Sequence, residues 1–292
     1  MYCVLKRLLA GIFLCAGWVS TGAAQNPVFR FTAVPTQDDA VLVQRFEKLA
    51  GYFQKKLGVN AEYVPLASYE AAVKAFMLGE VQLGWFGGFS GLIARTAIPG
   101  SEFVAQGEKD QSFKTYFIAH ASSGIKPSKS LPGDMRGKSI LFGSPMSTSG
   151  RLVPEYWVRR QFGQSSKDVF SRVNFSGDHS STLDLVQAGA ADVGALDYTV
   201  FEKAQREGKI DPSKVSVVWQ TPPFPDYVFV LRGGVNKVFG EDFNAKVGQA
   251  VVDLDDEDIL KAFGRPKFVP ASNTQYEFIE TLASALAAEE SR

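Results

Sequence analysis

The chain has 292 residues, of which 45% are hydrophobic and 21% are charged, a composition typical of a globular protein with one or two sizeable cores. Lysine plus arginine equals aspartate plus glutamate at 31 each, so no basic excess indicates a nucleic-acid partner, and none is expected. Two histidines and two cysteines in the whole chain disfavour a transition-metal site, and no cofactor is predicted.

The first 24 residues are predicted to be a Sec-type signal peptide, which implies a periplasmic protein. Lys6 and Arg7 precede an apolar run that is too short to span a membrane, and small residues lead to a cleavage site near Ala24/Gln25. Both cysteines lie in this segment, so the mature chain would have no thiol and no disulfide. A lipoprotein anchor at Cys15 is a less favoured alternative, because a leucine precedes it.

The mature chain begins with alternating strand and helix patterns. Residues 28–34 alternate as a strand, and an apolar stripe of helical spacing then runs from Leu42 to Leu57. The patterns that follow indicate a strand at 61–64, a helix at 69–78, and strands at 81–86, 102–106 and 114–121. This order predicts a mostly parallel sheet that is covered on both faces.

A polar stretch rich in proline, glycine and serine, at 122–134, is the clearest predicted boundary. A second β-α-β run follows, with strands at 138–142, 172–175, 192–196 and 215–219 and helices after 150, at 179–188 and at 199–205. A second breaker at 220–225 precedes a strand at 227–232 and helices at 241–254, 257–263 and 275–287.

These runs predict two α/β lobes joined by two crossover segments. Residues 25–121 and 226–292 would form lobe 1, and residues 122–225 would be inserted as lobe 2. Two crossovers make a hinge, and the cleft between the lobes is the expected ligand site. Ligands of open α/β sheets bind beyond the carboxyl ends of the strands, so the loops that follow the strands are expected to line this cleft.

The loop Gly143-Ser-Pro-Met-Ser-Thr-Ser-Gly150 lies between a predicted strand and a predicted helix. It offers the hydroxyls of Ser147, Thr148 and Ser149 beside the free N–H groups of a helix N-terminus, and Gly150 allows close approach. These features are typical of a cradle for a small anion. The alternative is an ordinary helix N-cap, which uses the same residue types.

Three further strand ends carry candidate residues. His179 opens a helix after Asp178, and Asp197 ends an apolar strand, either as the N-cap of the next helix or as a pocket carboxylate. A pocket carboxylate repels a dianion but accepts a hydrogen bond from a protonated oxyanion, which favours phosphorus oxyanions over sulfate or selenate. Trp85 and Phe86 end the third strand and point to opposite faces, so one of them is expected to line the cleft.

Several of these stretches together resemble one known family. They are the turn Gly84-Trp-Phe-Gly-Gly88, the loop Ser147-Thr-Ser-Gly150, the helix start Gly177-Asp-His179 and the strand Asp192-Val-Gly-Ala-Leu-Asp197. They are similar to the periplasmic substrate-binding proteins of phosphonate, phosphite and phosphate ABC importers, over nearly all of the mature chain. The sequences at 175–180 and 222–227 look most similar to a branch of this family that is assigned to selenate import.

The resemblance implies a type II periplasmic fold and a partner complex of ABC permease and ATPase in the inner membrane. It implies that the Ser147–Ser149 hydroxyls hold the ligand oxygens, with further contacts from His179, Asp197, Trp85, Phe86, Thr36 and Gln37. Family members that bind aminoalkyl phosphonates surround the amine with aromatic and acidic residues. Tyr198 is the tyrosine candidate here, but no second carboxylate matches, which counts against an amine-bearing ligand.

The predicted function is therefore a monomeric, non-enzymatic binding protein for a small tetrahedral oxyanion of phosphonate, phosphite or phosphate type. One alternative is a selenate- or selenite-type binding protein of the same fold. Another is an exported hydrolase that uses Ser147, His179 and Asp197, although the chain has no Gly-x-Ser-x-Gly elbow. The last alternative function is that of a periplasmic sensor domain.

Overall fold

The computed structural model describes residues 26–35 and 40–290. The first part of the chain forms, in order, β1 (Val28–Ala33), α1 (Ala40–Leu57), β2 (Asn60–Tyr63), α2 (Tyr69–Leu78), β3 (Leu83–Phe86), α3 (Gly88–Ala97), β4 (Glu102–Gly107) and β5 (Thr115–His120). Local signals fix these ends. For example, α2 begins where Ser68 Oγ accepts a hydrogen bond from Ala71 N, at 3.1 Å, and ends at Gly79, which has a φ of 79°.

The second part of the chain continues the alternation. It forms β6 (Ser139–Phe142), α4 (Val153–Phe162), α5 (Ser166–Val169), β7 (Arg172–Phe175), α6 (His179–Gln187), β8 (Val193–Asp197), α7 (Tyr198–Arg206) and β9 (Val215–Gln220). The last part forms β10 (Val228–Leu231), α8 (Val235–Phe239), α9 (Phe243–Val252), α10 (Glu257–Phe263), β11 (Phe268–Pro270) and α11 (Glu277–Glu290). None of the described helices is both long enough and apolar enough to cross a bilayer.

The strands form two separate sheets, as the two-lobe prediction requires. One sheet has six strands in the order β11-β4-β10-β3-β1-β2, and the other has five in the order β7-β6-β8-β5-β9. The β-α-β segments pair in parallel, as predicted, in β1 with β2 and β3 and in β6 with β7 and β8. The strands beside the crossovers, β5 and β10, pair antiparallel with their neighbours.

The predicted boundary at residue 122 is misplaced. Strand β5 had been assigned to the first lobe, but it pairs with β8 and β9 in the second sheet, so the chain crosses between the lobes before Thr115. The polar stretch at 122–134 is instead a surface segment of the second lobe. Its apolar residues Ile125 and Leu131 are buried in that lobe's core, together with Met135 just beyond it.

Aromatic side chains dominate the core of the first lobe. Phe53 is fully buried and makes edge-to-face contacts with Phe29, at a ring-centroid distance of 5.8 Å, and with Phe31, at 5.3 Å. The second lobe has two smaller cores, one on each face of its sheet. The neighbours Phe117 and Ile118 on β5 point into different ones, as the two-residue period of a strand requires.

We predict that Phe53→Ala lowers the free energy of unfolding by about 3–5 kcal/mol, because it leaves a cavity beneath two other rings. Urea denaturation followed by circular dichroism measures this change. The same substitution at Phe278, which is 43% exposed, is the matched control and is expected to change stability little. Equal losses at the two positions would contradict the assignment of Phe53 to the core.

Candidate functional site

The Ser147–Gly150 loop lies at the carboxyl end of β6, where the chain turns into a helix. Residues Thr148–Leu152 form a single π-helical turn that leads into α4, and such turns are frequent at functional sites. Ser147 Oγ accepts a hydrogen bond from Gly150 N at 2.9 Å, so this hydroxyl caps the turn. The side chains of Ser147, Thr148 and Ser149 are all buried, as a cradle closed from solvent requires.

The loop meets the first lobe at the N-terminus of α3. Phe89 N donates a hydrogen bond to Thr148 Oγ1 at 2.9 Å, which links the two lobes directly. The packing at position 87 is tight, because a Cβ atom there would lie 3.1 Å from Thr148 Oγ1 and 3.2 Å from Asp226 Oδ1. The positive end of the α3 dipole therefore points to the same place as the hydroxyl loop.

Asp226 places a carboxyl between the lobes. Its Oδ1 atom accepts a hydrogen bond from Gly88 N at 3.0 Å, whereas its Oδ2 atom is buried without a partner among the residues described. Burial raises the pKa of Asp226 to about 7, although the Thr148 hydroxyl and the Gly88 amide act in the opposite direction. The Ser149 hydroxyl also faces this carboxyl, but it makes no well-aligned hydrogen bond.

His179 lies on the second lobe beside the loop. Its Nδ1 atom accepts a hydrogen bond from Asp197 N at 3.2 Å, which assigns the ring proton to Nε2 in the neutral form. Nε2 lies 3.4 Å from the hydroxyl oxygen of Tyr69, at the start of α2 in the first lobe. Burial lowers the pKa of His179, so the ring stays neutral at physiological pH.

The glycine at position 150 is needed for this arrangement. A Cβ atom there would lie 2.9 Å from Ser147 Oγ and 3.0 Å from Cε1 of His179. The His179 ring and the Ser147 hydroxyl therefore occupy the space beside Gly150, whereas its predicted role, close approach of a ligand to the backbone, stays a prediction.

Asp197 acts as the N-cap of α7, which was one of its two predicted roles. Its Oδ1 atom accepts hydrogen bonds from Thr199 N at 2.6 Å and from Thr199 Oγ1 at 2.7 Å. The side chain is nevertheless buried and lies on the wall of the cleft. Tyr198 follows it, half-buried, with its ring against Phe113 and Tyr116.

The two aromatic residues at the end of β3 have different environments. Trp85 stacks on Tyr227, with ring centroids 5.6 Å apart, and reaches the cleft. Phe86 does not, because its ring is fully buried against Phe76 in the first core, so its predicted place in the pocket is wrong. Thr36 and Gln37, which were predicted to close the pocket, lie outside the described residues.

Sequence reasoning missed three residues of this site, namely Asp226, Tyr227 and Tyr69. Asp226 is the second carboxylate that appeared to be lacking, and its one sequence signal is its position just after the Pro222–Pro225 breaker. The sequence marks Tyr69 only as the first residue of a helix, which does not indicate a role in a site. These residues come together through the approach of the two lobes, which no local pattern reports.

Buried polar atoms without partners collect at the centre of this site. They include Ser149 Oγ, Asp226 Oδ2 and the Tyr227 hydroxyl. An inter-lobe cavity of about 980 Å³ lies alongside, lined in part by Trp85, Asp197, Tyr198 and Tyr227. Within residues 26–35 and 40–290, no cluster of three or more His, Cys, Asp and Glu residues is arranged to hold a metal ion.

The raised pKa of Asp226 predicts a pH-dependent effect of Asp226→Asn on the ligand-free protein. Between pH 4 and 7 the unfolded carboxyl ionises while the folded one resists, so the contribution of Asp226 to wild-type stability falls by up to about 1.4 kcal/mol per pH unit. The amide cannot ionise and keeps an oxygen for Gly88 N. The variant should therefore gain stability relative to wild type from pH 4 to pH 7 and keep that gain above pH 7.

Urea denaturation at several pH values measures this difference. Asp211→Asn is the control, because Asp211 is bonded to Ser213, which lowers its pKa, and its replacement should give no such gain. A difference between Asp226→Asn and wild type that does not change with pH would contradict the assignment.

Comparison with known proteins identifies the family of this chain. Residues 31–276 match the family described as "ABC transporter, phosphonate, periplasmic substrate-binding protein". The chain is 33% identical over 290 residues to the probable ABC transporter phosphite binding protein PhnD1 of Prochlorococcus marinus (strain MIT 9301), covering 97% of this chain and 98% of that protein. It is 24% identical over 266 residues to the phosphonates-binding periplasmic protein of Escherichia coli, covering 89% of this chain and 77% of that one.

A solved structure of PhnD1 from Prochlorococcus marinus in complex with methylphosphonate superposes with a TM-score of 0.84, at 34% identity, covering 89% of this chain and 98% of that one. A binding protein component of an ABC phosphonate transporter from Pseudomonas aeruginosa shares the fold, with a TM-score of 0.76 at 19% identity, covering 89% and 86%. The fold is the predicted type II periplasmic fold. The chain belongs to the phosphonate-type periplasmic substrate-binding proteins of ABC transporters, and it is therefore a binding component and not an enzyme.

Proposed function

We propose that this protein captures a small, protonated phosphorus oxyanion, such as phosphite or a small phosphonate, and delivers it to an ABC permease and ATPase. The observation that carries the proposal is the group of buried, unpartnered polar atoms on Ser149, Asp226 and Tyr227. Buried polar groups are normally paired, and such exceptions in a cleft mark the place of a ligand.

Dipoles and hydroxyls are suited to hold the oxygens of such a ligand. The positive ends of the π-helical turn at Thr148–Leu152 and of α3 both point to the junction, where Gly88 N, Phe89 N and Gly150 N are already bonded to Asp226, Thr148 and Ser147. Ser149 adds a hydroxyl that faces the Asp226 carboxyl but makes no well-aligned hydrogen bond in the described chain. Hydrogen bonds to a charged acceptor contribute roughly 1.5–3 kcal/mol each, so three or four of them are sufficient for tight binding.

The carboxyl of Asp226 favours a ligand that shares a proton. A carboxylate beside a dianion is repulsive, but a carboxyl with a raised pKa can donate its own proton or accept one from a P–OH group. Phosphite, phosphonates and phosphate can carry a proton at neutral pH, because their second ionisation lies near it, whereas sulfate and selenate do not. The proposed order of affinity therefore places the phosphorus oxyanions first.

Asp226 and Asp197 are close enough for their charges to interact, and Asp197 lines the cavity, which weakens the sequence-based objection to an amine-bearing ligand. The adjoining cavity, lined in part by Trp85, Tyr198 and Tyr227, offers room for a substituent on phosphorus. The proposal therefore includes phosphonates with a small organic group. The monomeric state and the removal of residues 1–24 on export remain predictions.

We predict that Ser149→Ala weakens the binding of phosphite and of methylphosphonate by roughly 10- to 100-fold, the loss of one charge-assisted hydrogen bond. Isothermal titration calorimetry measures it. Ser149 Oγ makes no well-formed bond within the described chain, so the thermal stability of the free protein should change little. The matched control is the exposed Ser130→Ala, which is expected to bind as wild type does.

A ligand panel on the wild-type protein tests the proposed class. It contains phosphite, methylphosphonate, 2-aminoethylphosphonate, phosphate, sulfate, selenate and selenite, each measured by thermal shift and then by calorimetry. We expect the phosphorus compounds to bind most tightly. Preferential binding of selenate or sulfate would refute the protonated-ligand proposal, and equal affinity of Ser149→Ala and wild type would refute the site.

A further inference from the structure

The two crossovers between the lobes are bonded to each other directly beneath the site. Phe113 N donates to Phe224 O at 2.8 Å, and Phe224 N donates to Phe113 O at 2.9 Å, which forms one antiparallel bridge. Asp226 N donates to the backbone oxygen of Asp110 at 3.0 Å. The residue that carries the inter-lobe carboxyl is therefore held by the crossover that contains Asp110.

A buried ion pair secures this ribbon to the first lobe. The Arg265 guanidinium, in the loop between α10 and β11, donates from Nε to Asp110 Oδ2 at 2.6 Å and from NH2 to Asp110 Oδ1 at 2.5 Å. Its NH1 atom donates to Phe263 O at 2.9 Å. Both side chains are almost fully buried, and this two-pronged geometry fixes the orientation of both partners.

The same guanidinium lies among the aromatic rings beside the ligand site. Its Cζ atom is 5.3 Å from the ring centroid of Tyr227, 5.5 Å from that of Phe113 and 5.9 Å from that of Trp85. Tyr227 carries one of the unpartnered hydroxyls of the site, and Trp85 stacks on it. Arg265 thus lies over the ring of a residue that belongs to the site.

The surrounding chain makes room for this pair. A Cβ atom at Gly107 would lie 2.2 Å from Asp110 Oδ2 and 2.8 Å from Cγ of Arg265. Although burial disfavours a cation, the Asp110 carboxylate raises the pKa of Arg265 above its ordinary value, so the arginine stays charged. Buried ion pairs add little net stability compared with apolar packing, and fixing one geometry is a better-supported role for them.

We propose that Arg265 is a positioning residue for ligand binding. Paired with Asp110, it clamps both crossovers to the first lobe and holds the Tyr227 ring and the Asp226 backbone in register with the hydroxyl loop. Arg265 also lines the inter-lobe cavity, but the three nitrogens of its guanidinium are bonded to Asp110 and to Phe263 O. The ligand-binding part of this inference rests on the proposed function, whereas the clamp on the crossovers does not.

Two variants separate a clamp from a simple electrostatic effect. Asp110→Asn removes a negative charge near an anion site, so an effect of charge alone would tighten the binding of phosphite. Arg265→Lys keeps the positive charge, so an effect of charge alone would leave affinity unchanged. A clamp predicts weaker phosphite binding in both variants, because neither retains the two-pronged, charge-assisted pair. We expect each to weaken phosphite binding at least fivefold in calorimetry.

Hydrogen exchange of the ligand-free protein, read by mass spectrometry, tests the clamp itself. Peptides that cover 108–114 and 221–227 should exchange at least several-fold faster in both variants, because their cross-bonds open more often. Arg95→Lys is the matched control. Arg95 also lies over an aromatic ring, that of Phe103 at 5.1 Å, and pairs with Glu280, but it is remote from the crossovers.

Should a single variant fold poorly, the double variant Asp110→Leu with Arg265→Met replaces both charges by apolar groups. It is expected to fold and to show the same faster exchange and weaker binding. Wild-type exchange at both crossovers, or phosphite affinity in Asp110→Asn equal to or above that of wild type, would overturn the inference. If the wild-type protein binds neither phosphite nor methylphosphonate, the proposed function fails, while the exchange data still decide the clamp.

Discussion

The carboxyl of Asp226 is buried between two lobes, with one oxygen bonded to the Gly88 amide and the other without a partner in the described chain. Polar groups withdrawn from water are costly unless they are paired. The hydroxyls that face this carboxyl, on Thr148 and Ser149, come from the opposite lobe. The environment of this carboxyl therefore depends on the approach of the two lobes.

The rest of the molecule supports that junction with two kinds of interaction. Apolar packing makes each lobe rigid, most visibly in the rings around Phe53. Polar contacts then set the relation between the lobes: Phe89 N with Thr148 Oγ1, Tyr69 with His179, and the crossover bridge between Phe113 and Phe224. Apolar packing is non-directional, whereas hydrogen bonds are directional, so the second kind determines where the groups of the site point.

Two side chains at the site serve the backbone, as the capping interpretation of the sequence predicted. Ser147 caps the π-helical turn and Asp197 caps α7, yet both are buried at the site. A hydroxyl or carboxylate used in a cap is held in one orientation. The cap residues therefore fix the backbone around Ser149, whose own hydroxyl caps no helix in the described chain.

The sequence by itself determined the alternation of strands and helices, the two-lobe organisation and the hydroxyl loop at Ser147–Gly150, because periodicity, caps and glycines act over a few residues. Only the tertiary structure decided that β5 belongs to the second sheet, that Phe86 points into a core, and that Asp226 lies opposite Ser149. Strand partners and carboxyl neighbours are set by contacts between residues far apart in the chain. A local sequence pattern does not reveal these contacts, since the same residues would fit several strand pairings until the cores have packed.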